Sequence, residues 1–223
     1  MPSSRYERAA RSAGYRTIAG LDEAGRGALF GPVFAAAVVL DPARQIRGLD
    51  DSKQLDPERR EVLAERIRER ALAWAVGAAD AFEIDRVNIL QASRLAMQRA
   101  LQRLRLTCDY LLLDAIRIES ALTQKPLIHG DSLCFSIAAA SILAKTERDR
   151  ALVKWDAVFP EYRLASNKGY GTGEHLAGLE RVGPTPLHRF SFEPVRNASR
   201  HAVWTGYPAL AAIPPQGELF ACR

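Results

Sequence analysis

Cysteine is scarce in this chain of 223 residues: Cys108, Cys134 and Cys222 are odd in number and show no CxxC spacing. That argues against a structural zinc site and a disulfide framework, and suits reduced thiols in a cytoplasm. No run of about 18 apolar residues occurs, which argues against a membrane-spanning helix. The opening stretch MPSSRYERAARSAGYRT lacks the apolar core of a signal peptide, so a cytoplasmic protein without a membrane partner is expected. Histidine numbers only four, none at zinc-protease spacing. There is no internal repeat and no long low-complexity linker.

Hydrophobic residues make up 48% and charged residues 26%, a globular balance that excludes wholesale disorder. The net charge of +5 and pI of about 9.3 suit a polyanionic partner, although on charge alone a solvated basic surface is the better explanation. The run Tyr15 to Leu21 reads as a strand ending at Asp22-Glu23, and the apolar run Pro32 to Leu40 as a second strand antiparallel to it. Asp56-Pro57 carries the cap and first-turn signals of a helix along which Leu63, Ile67, Ala71 and Trp74 recur. A further helix is expected over Ile89 to Leu106 with Leu90, Met97, Leu101 and Leu104 on its apolar stripe, its arginines facing solvent.

Tyr110 to Leu113 reads as a short strand ending at Asp114. From Ser132 to about Val153 the pattern is helical, and its centre SIAAASILA is small enough to pack closely on a sheet. Gly173 to Val182 is a helix stopped by Gly183-Pro184. This order of strands and helices predicts an α/β fold with a mixed sheet and a helical C-terminal part.

Acidic residues stand where the apolar pattern leads one to expect none. Asp22 and Glu23 end one strand, Asp114 ends another, and Asp131 opens a buried helix. Carboxylates at the ends of adjacent strands can converge, and an all-oxygen set suits Mg²⁺ or Mn²⁺. Two such ions activate water and stabilise the leaving oxygen of a phosphodiester, with no histidine required. Each acid has a plainer reading: Asp131 as a helix cap, Asp114 as a turn residue, Asp22-Glu23 as an ion-pairing couple. Strand alternation would send Asp22 and Glu23 to opposite faces unless Glu23 lies past the strand or offers its carbonyl.

Gly25-Arg26-Gly27 follows at once. Glycine permits close approach and lets N–H groups bond a phosphate or hydroxyl, and arginine adds a forked donor; a simple turn is the alternative. In Lys168-Gly169-Tyr170-Gly171-Thr172 a tyrosine sits between glycines, exposed for stacking on a sugar or base, or else capping the next helix.

The blocks DEAGRGALFGPV (Asp22 to Val33), DSKQL (Asp51 to Leu55), LLLDA (Leu111 to Ala115), GDSLCFSIAAASILAKTERDR (Gly130 to Arg150), NKGYGT (Asn167 to Thr172) and GPTPLHRFSF (Gly183 to Phe192) resemble, in order, the signature blocks of ribonuclease HII. The resemblance spans roughly Ile18 to Val195. It implies a ribonuclease H-like fold, a mixed five-stranded sheet flanked by helices, over residues 15–196, with a helical extension from about 155 and loose tails at 1–14 and 197–223. It implies metal ligation and catalysis by Asp22, Glu23, Asp114 and Asp131. It also implies reading of the ribonucleotide's 2′-hydroxyl and phosphate by Gly25, Arg26 and Gly27, stacking of Tyr170 on the following deoxyribose, and a phosphate contact for Lys53. The activity implied is cleavage, dependent on Mg²⁺ or Mn²⁺, of RNA–DNA hybrids and of DNA duplexes containing ribonucleotides, by a monomer acting in ribonucleotide removal. Ala28, Phe30, His129 and Glu147 depart from the usual blocks while every catalytic position is filled. The alternatives are a silent hybrid-binding module, disfavoured by the four acids, and a ribonuclease HIII-like nuclease, disfavoured by the Tyr170 loop.

Overall fold

The computed structural model describes residues 2–199. The elements in chain order are α1 (Arg5–Ser12), β1 (Ile18–Ala24), β2 (Val33–Val39), α2 (Pro57–Arg70), β3 (Ala73–Ala79), α3 (Ala81–Val87), α4 (Ile89–Arg103), β4 (Tyr110–Asp114) and β5 (Thr123–Leu127). They continue with α5 (Gly130–Leu133), α6 (Phe135–Val158), a 3₁₀ turn (Pro160–Tyr162), α7 (Leu164–Asn167), α8 (Gly173–Val182) and α9 (Glu193–Ser199). The residues group into two compact units. One comprises the start of the chain to Ala24, Phe34–Ala78 and Ser93–Glu147; the other comprises Gly25–Val33, Ala79–Ala92 and the chain from Arg148 onward.

The first unit carries the five-stranded sheet in the order β3-β2-β1-β4-β5. β1 pairs antiparallel with β2 and parallel with β4, and β4 pairs parallel with β5, so the sheet is mixed as expected. β2 is buried along its whole length, which explains its unbroken apolar sequence. Two helices lie directly on strand backbone. A Cβ on Gly20 of β1 would stand 2.1 Å from the carbonyl carbon of Ser136, and one on Gly77 of β3 would stand 2.4 Å from the Ala96 oxygen. The run Ala138-Ala139-Ala140 on α6 is fully buried, so the small-residue helix packs as its composition predicts.

Several local expectations are corrected. α2 begins as read, with Asp56 accepting from the Arg59 N–H at 2.8 Å, but it ends at Arg70. Ala71 is already extended and Trp74 belongs to β3. The buried face of α4 is Ala92, Ser93, Ala96, Met97 and Ala100, whereas Leu90, Leu101 and Leu104 are half-buried. Two of its arginines do not simply face solvent: Arg99 and Arg103 donate to the Ala78 and Val76 carbonyls of the edge strand β3, blunting that edge. Cys134 is extended and separates α5 from α6. Residues 1–14, expected as a loose tail, contain α1, which buries Glu7 and Ala10. The tail expected beyond Asn197 lies, past Ser199, outside the described residues.

The second unit has its own core of Leu29, Phe30, Leu152, Trp155, Phe159, Tyr162, Leu164, Leu179 and Val195. α8 starts at Thr172, whose hydroxyl accepts from the His175 N–H, and stops at Gly183. Among the described residues no helix is long and apolar enough to cross a membrane.

Candidate functional site

In the first unit, the register that pairs Leu21 with Leu113 sets Asp22 beside Asp114 at the same end of two parallel strands. Asp22 is buried, and its Oδ1 accepts the Glu23 N–H at 2.7 Å. It also accepts a hydrogen bond from Ser141 on α6, whose hydroxyl in turn lies 2.9 Å from that of Ser52. Asp114 Oδ1 accepts the Gly130 N–H at 2.7 Å, which ties the end of β4 to the start of α5. Asp131 is not the cap of that helix: His129 holds the cap position in left-handed backbone, and Asp131 Oδ1 accepts from the Ser132 N–H at 2.9 Å. Main-chain N–H groups therefore orient all three aspartates. Glu23 lies within β1, not past it, so alternation does turn its side chain away from that of Asp22, though the two charges still interact.

Burial holds the Asp22 carboxyl well above the usual carboxylate range, and the charges of Glu23 and Asp114 push it further; the bonds from Ser141 and the Glu23 N–H oppose this. Asp131 is raised by burial and then by Asp51 and Asp114, against the pull of Lys53. Partial burial would lower the Lys53 ammonium, but Asp51, Asp131, Asp22 and Asp114 outweigh it and raise it; its Nζ stands 3.9 Å from Asp131 Oδ2. Among the described residues no three acidic, imidazole or thiol groups close on one point as metal ligands. The arrangement is an open cluster of like charges, all oxygen donors, which a hard divalent cation would neutralise. The donor set and its electrostatics fit Mg²⁺ or Mn²⁺.

In the second unit, the two glycine loops come together. The Gly169 carbonyl accepts from the Leu29 N–H at 2.7 Å and lies 3.3 Å from the Phe30 N–H, and a Cβ on Gly27 would be 3.9 Å from the Tyr170 ring. Tyr170 is 39% exposed, with the Arg148 guanidinium 5.4 Å from its ring centroid, so it is neither core nor a helix cap. Gly25 adopts φ +92°, and a Cβ there would stand 1.9 Å from Arg148 Nε, so both backbone and space require glycine. Arg148 donates to the Lys168 carbonyl at 2.8 Å. Both Arg148 and Arg189 are fully buried, and among the described residues neither pairs with a carboxylate. Burial lowers both, Arg189 to about 9, with Arg148 adding to the effect on it.

The structure thus gathers Asp22, Asp114, Asp131 and Lys53 in one cluster, with Glu23 next to Asp22 but its side chain turned from it, and Gly25, Arg26 and Gly27 with Tyr170 in another. Sequence reasoning missed Asp51, Ser141, Arg148, Arg189 and the buried pair His175 and His188. Membership of the signature blocks was the one hint at five of them, and His175 lies outside every block. Of the departing residues, Glu147 forms an ion pair with Arg68, whose guanidinium lies over Trp74.

Solved structures with this architecture include ribonucleases. Ribonuclease H2 from Pyrococcus horikoshii matches with a TM-score of 0.70 at 25% identity, covering 83% of this chain and 98% of that one. Bst-RNase HIII in complex with Mn²⁺ matches with a TM-score of 0.67 at 21% identity, covering 87% and 73%. The fold is therefore that of the ribonuclease H-like nucleases. The sequence narrows the class: the Ribonuclease HII family model matches residues 19–195. A curated Ribonuclease HII from Solibacter usitatus is 62% identical over 194 residues, 87% of this chain and 85% of that protein. The chain belongs to the ribonuclease HII family, and it is a nuclease, a hydrolase of nucleic acid with ribonuclease H activity.

Proposed function

We propose that this chain hydrolyses the RNA strand of RNA–DNA hybrids and cuts duplex DNA on the 5′ side of a single embedded ribonucleotide, leaving 5′-phosphate and 3′-hydroxyl ends. The observation that carries the reading is the pairing of Asp22 and Asp114 at the ends of adjacent parallel strands, where burial and mutual repulsion raise Asp22. Asp22, Asp114 and Asp131, with Glu23 through its main-chain carbonyl, would hold two Mg²⁺ or Mn²⁺ ions. When bound, such ions supply an activated water and charge stabilisation for the leaving oxygen.

The rest is the work of the chain itself. The N–H groups of Glu23, Gly130 and Ser132, with the Ser141 hydroxyl, fix the carboxylates in orientation. Lys53, its side chain 78% exposed, contributes a positive charge for a phosphate beside Asp131. Gly25, Arg26 and Gly27 bind the ribonucleotide's 2′-hydroxyl and adjoining phosphate. The 2′-hydroxyl is the group that distinguishes RNA from DNA at one position. Tyr170 stacks on the next sugar, favouring a deoxyribonucleotide there. The protein acts as a monomer in the cytoplasm, removing ribonucleotides from DNA.

The test is cleavage of a labelled DNA duplex carrying one ribonucleotide, with Mg²⁺, with Mn²⁺ and with chelator. The expected result is one cut 5′ of the ribonucleotide, lost on chelation and in Asp114→Asn. Unchanged cutting by Asp114→Asn refutes the metal-site assignment. Degradation of continuous hybrid without cutting at the single ribonucleotide refutes the roles given to Arg26 and Tyr170.

A further inference from the structure

The block GPTPLHRFSF contributes no group to the functions above, yet its His188 and Arg189 are completely buried beneath both glycine loops. Arg189 spends its guanidinium on three main-chain carbonyls: Nε donates to Gly31 at 2.9 Å, Nη1 to Arg26 at 2.8 Å and Nη2 to Gly25 at 2.8 Å. Every peptide bond here is trans, so a carbonyl and the N–H of the following residue point in opposite directions. Holding the Gly25 and Arg26 carbonyls inward therefore turns the N–H groups of Arg26 and Gly27 to the other side. Both residues are exposed there.

His188 acts on the second loop through one intermediary. The Thr185 N–H donates to His188 Nδ1 at 2.9 Å, so that nitrogen must carry the lone pair. The proton of the neutral ring is then on Nε2, which donates across 3.1 Å to His175 Nε2. That fixes the His175 proton on Nδ1, which donates to the Tyr170 carbonyl at 2.9 Å. A single neutral tautomer of each ring satisfies the whole chain. Burial lowers both imidazoles, His188 well below its ordinary range with His175 adding to the effect, which keeps the pair uncharged. With the Tyr170 carbonyl held inward, the Gly171 N–H is turned to the exposed side by the same peptide geometry.

We infer that His188 and Arg189, with His175, are positioning residues that set the main-chain donors of the Gly25–Gly27 loop and the ring of Tyr170, and thereby the preference for a single ribonucleotide over continuous hybrid. The inference rests on the assignment of Arg26, Gly27 and Tyr170 to the ribonucleotide. All three positioning side chains are completely buried. A misplacement of about 1 Å in a binding group can cost on the order of a hundredfold in rate. The effect belongs in kcat/KM on the single-ribonucleotide duplex.

The experiment compares His175→Leu with His175→Asn, whose amide N–H can replace the Nδ1 donor to Tyr170. The ratio of kcat/KM for a one-ribonucleotide duplex to that for continuous hybrid is read alongside KM and kcat. The Leu variant is expected to lose roughly 10- to 100-fold of the ratio, chiefly through KM, and the Asn variant to regain most of it. Equal ratios in the two variants, at the wild-type level or below it, overturn the role given to His175. Should the Leu variant not fold, Arg189→Lys carries the test, because one ammonium cannot span three carbonyls. A loss of tenfold or more in its ratio supports the inference, and an unchanged ratio overturns it. Tyr170→Ala and Arg26→Ala separate the two levels. If neither moves the ratio, the assignment of the loops fails and the inference with it; if they move it and the His175 and Arg189 variants do not, only the positioning fails.

Discussion

Gly20 sits two residues before Asp22 on β1, with the backbone of α6 pressed against it. A Cβ added there would meet Ser136 C at 2.1 Å, Ser136 O at 2.4 Å and Ile137 N at 2.5 Å. Ordinary contact begins near 3.4 Å, so in Gly20→Ala the helix must retreat by 3.4 − 2.1, about 1.3 Å. Every atom in the clash is main chain, so no rotamer change relieves it. Overpacking of this kind costs about 1–3 kcal/mol, or roughly 2–12 °C in Tm for a protein of this size. The same retreat carries Ser141 away from Asp22 and disturbs the carboxylate cluster, with a rate loss on the order of a hundredfold.

Gly77→Ala is the control. Its Cβ would meet Ala96 O at 2.4 Å and Ala100 N at 2.5 Å, a comparable clash, but β3 lies two strands from β1, about 10 Å away. It should lower Tm similarly while the folded protein keeps kcat within about threefold, since no acid moves. Thermal unfolding with cleavage assays under saturating Mn²⁺ decides the matter. An unchanged Tm in Gly20→Ala refutes the close approach. A lowered Tm with wild-type kcat refutes the coupling of helix position to the acids.

Three further outcomes follow from the geometry. Asp22→Asn removes a buried negative charge that Glu23 and Asp114 repel, so its Tm in chelator at pH 7 should exceed that of wild type, while its cleavage with Mn²⁺ is abolished; a lower Tm would show that the charge is not a liability. His175 and His188 are lowered on folding, so the unfolded chain binds more protons below about pH 6.5 and stability falls as pH drops through that value. The slope is up to about 1.4 kcal/mol per pH unit for each ring, and a urea midpoint with the same pH dependence in wild type and His188→Gln would refute it. Lys53→Met should reduce the salt slope of duplex affinity by about one without changing the cut position; an unaltered slope refutes a phosphate contact.

The carboxylates were legible because an acid that ends an apolar strand breaks its pattern, and Asp22 and Asp114 both do so. Glu23 shows the limit of that reading, since strand alternation gives it a different surrounding from its neighbour. β3 was hidden because Ala71 and Trp74 continue the helical spacing of Leu63 and Ile67 by coincidence, and no glycine or proline marks the end of α2. β5 was hidden because an edge strand can be as polar as TQKPL and can hold Pro126. Arg148, Arg189, His175 and His188 escaped notice because such residues are usually exposed or half-exposed, and only tertiary structure supplies the carbonyls and rings that let them be buried. Ser141 reads as one more small residue in a packing helix until Asp22 is found beside it.

The two compact units are interleaved along the chain, changing over at five junctions, with one inside α4 and another inside α6. Neither can be lifted out as a cassette. A chimaera that kept one relative's acids and took another's ribonucleotide-reading loops would need three separate segments exchanged together, cut through two uninterrupted helices. Single-segment recombination between distant relatives therefore splits co-adapted partners, such as Gly25 from Arg148 or Tyr170 from Gly27. The specificity of such an enzyme is free to drift by point substitution, but scarcely by shuffling.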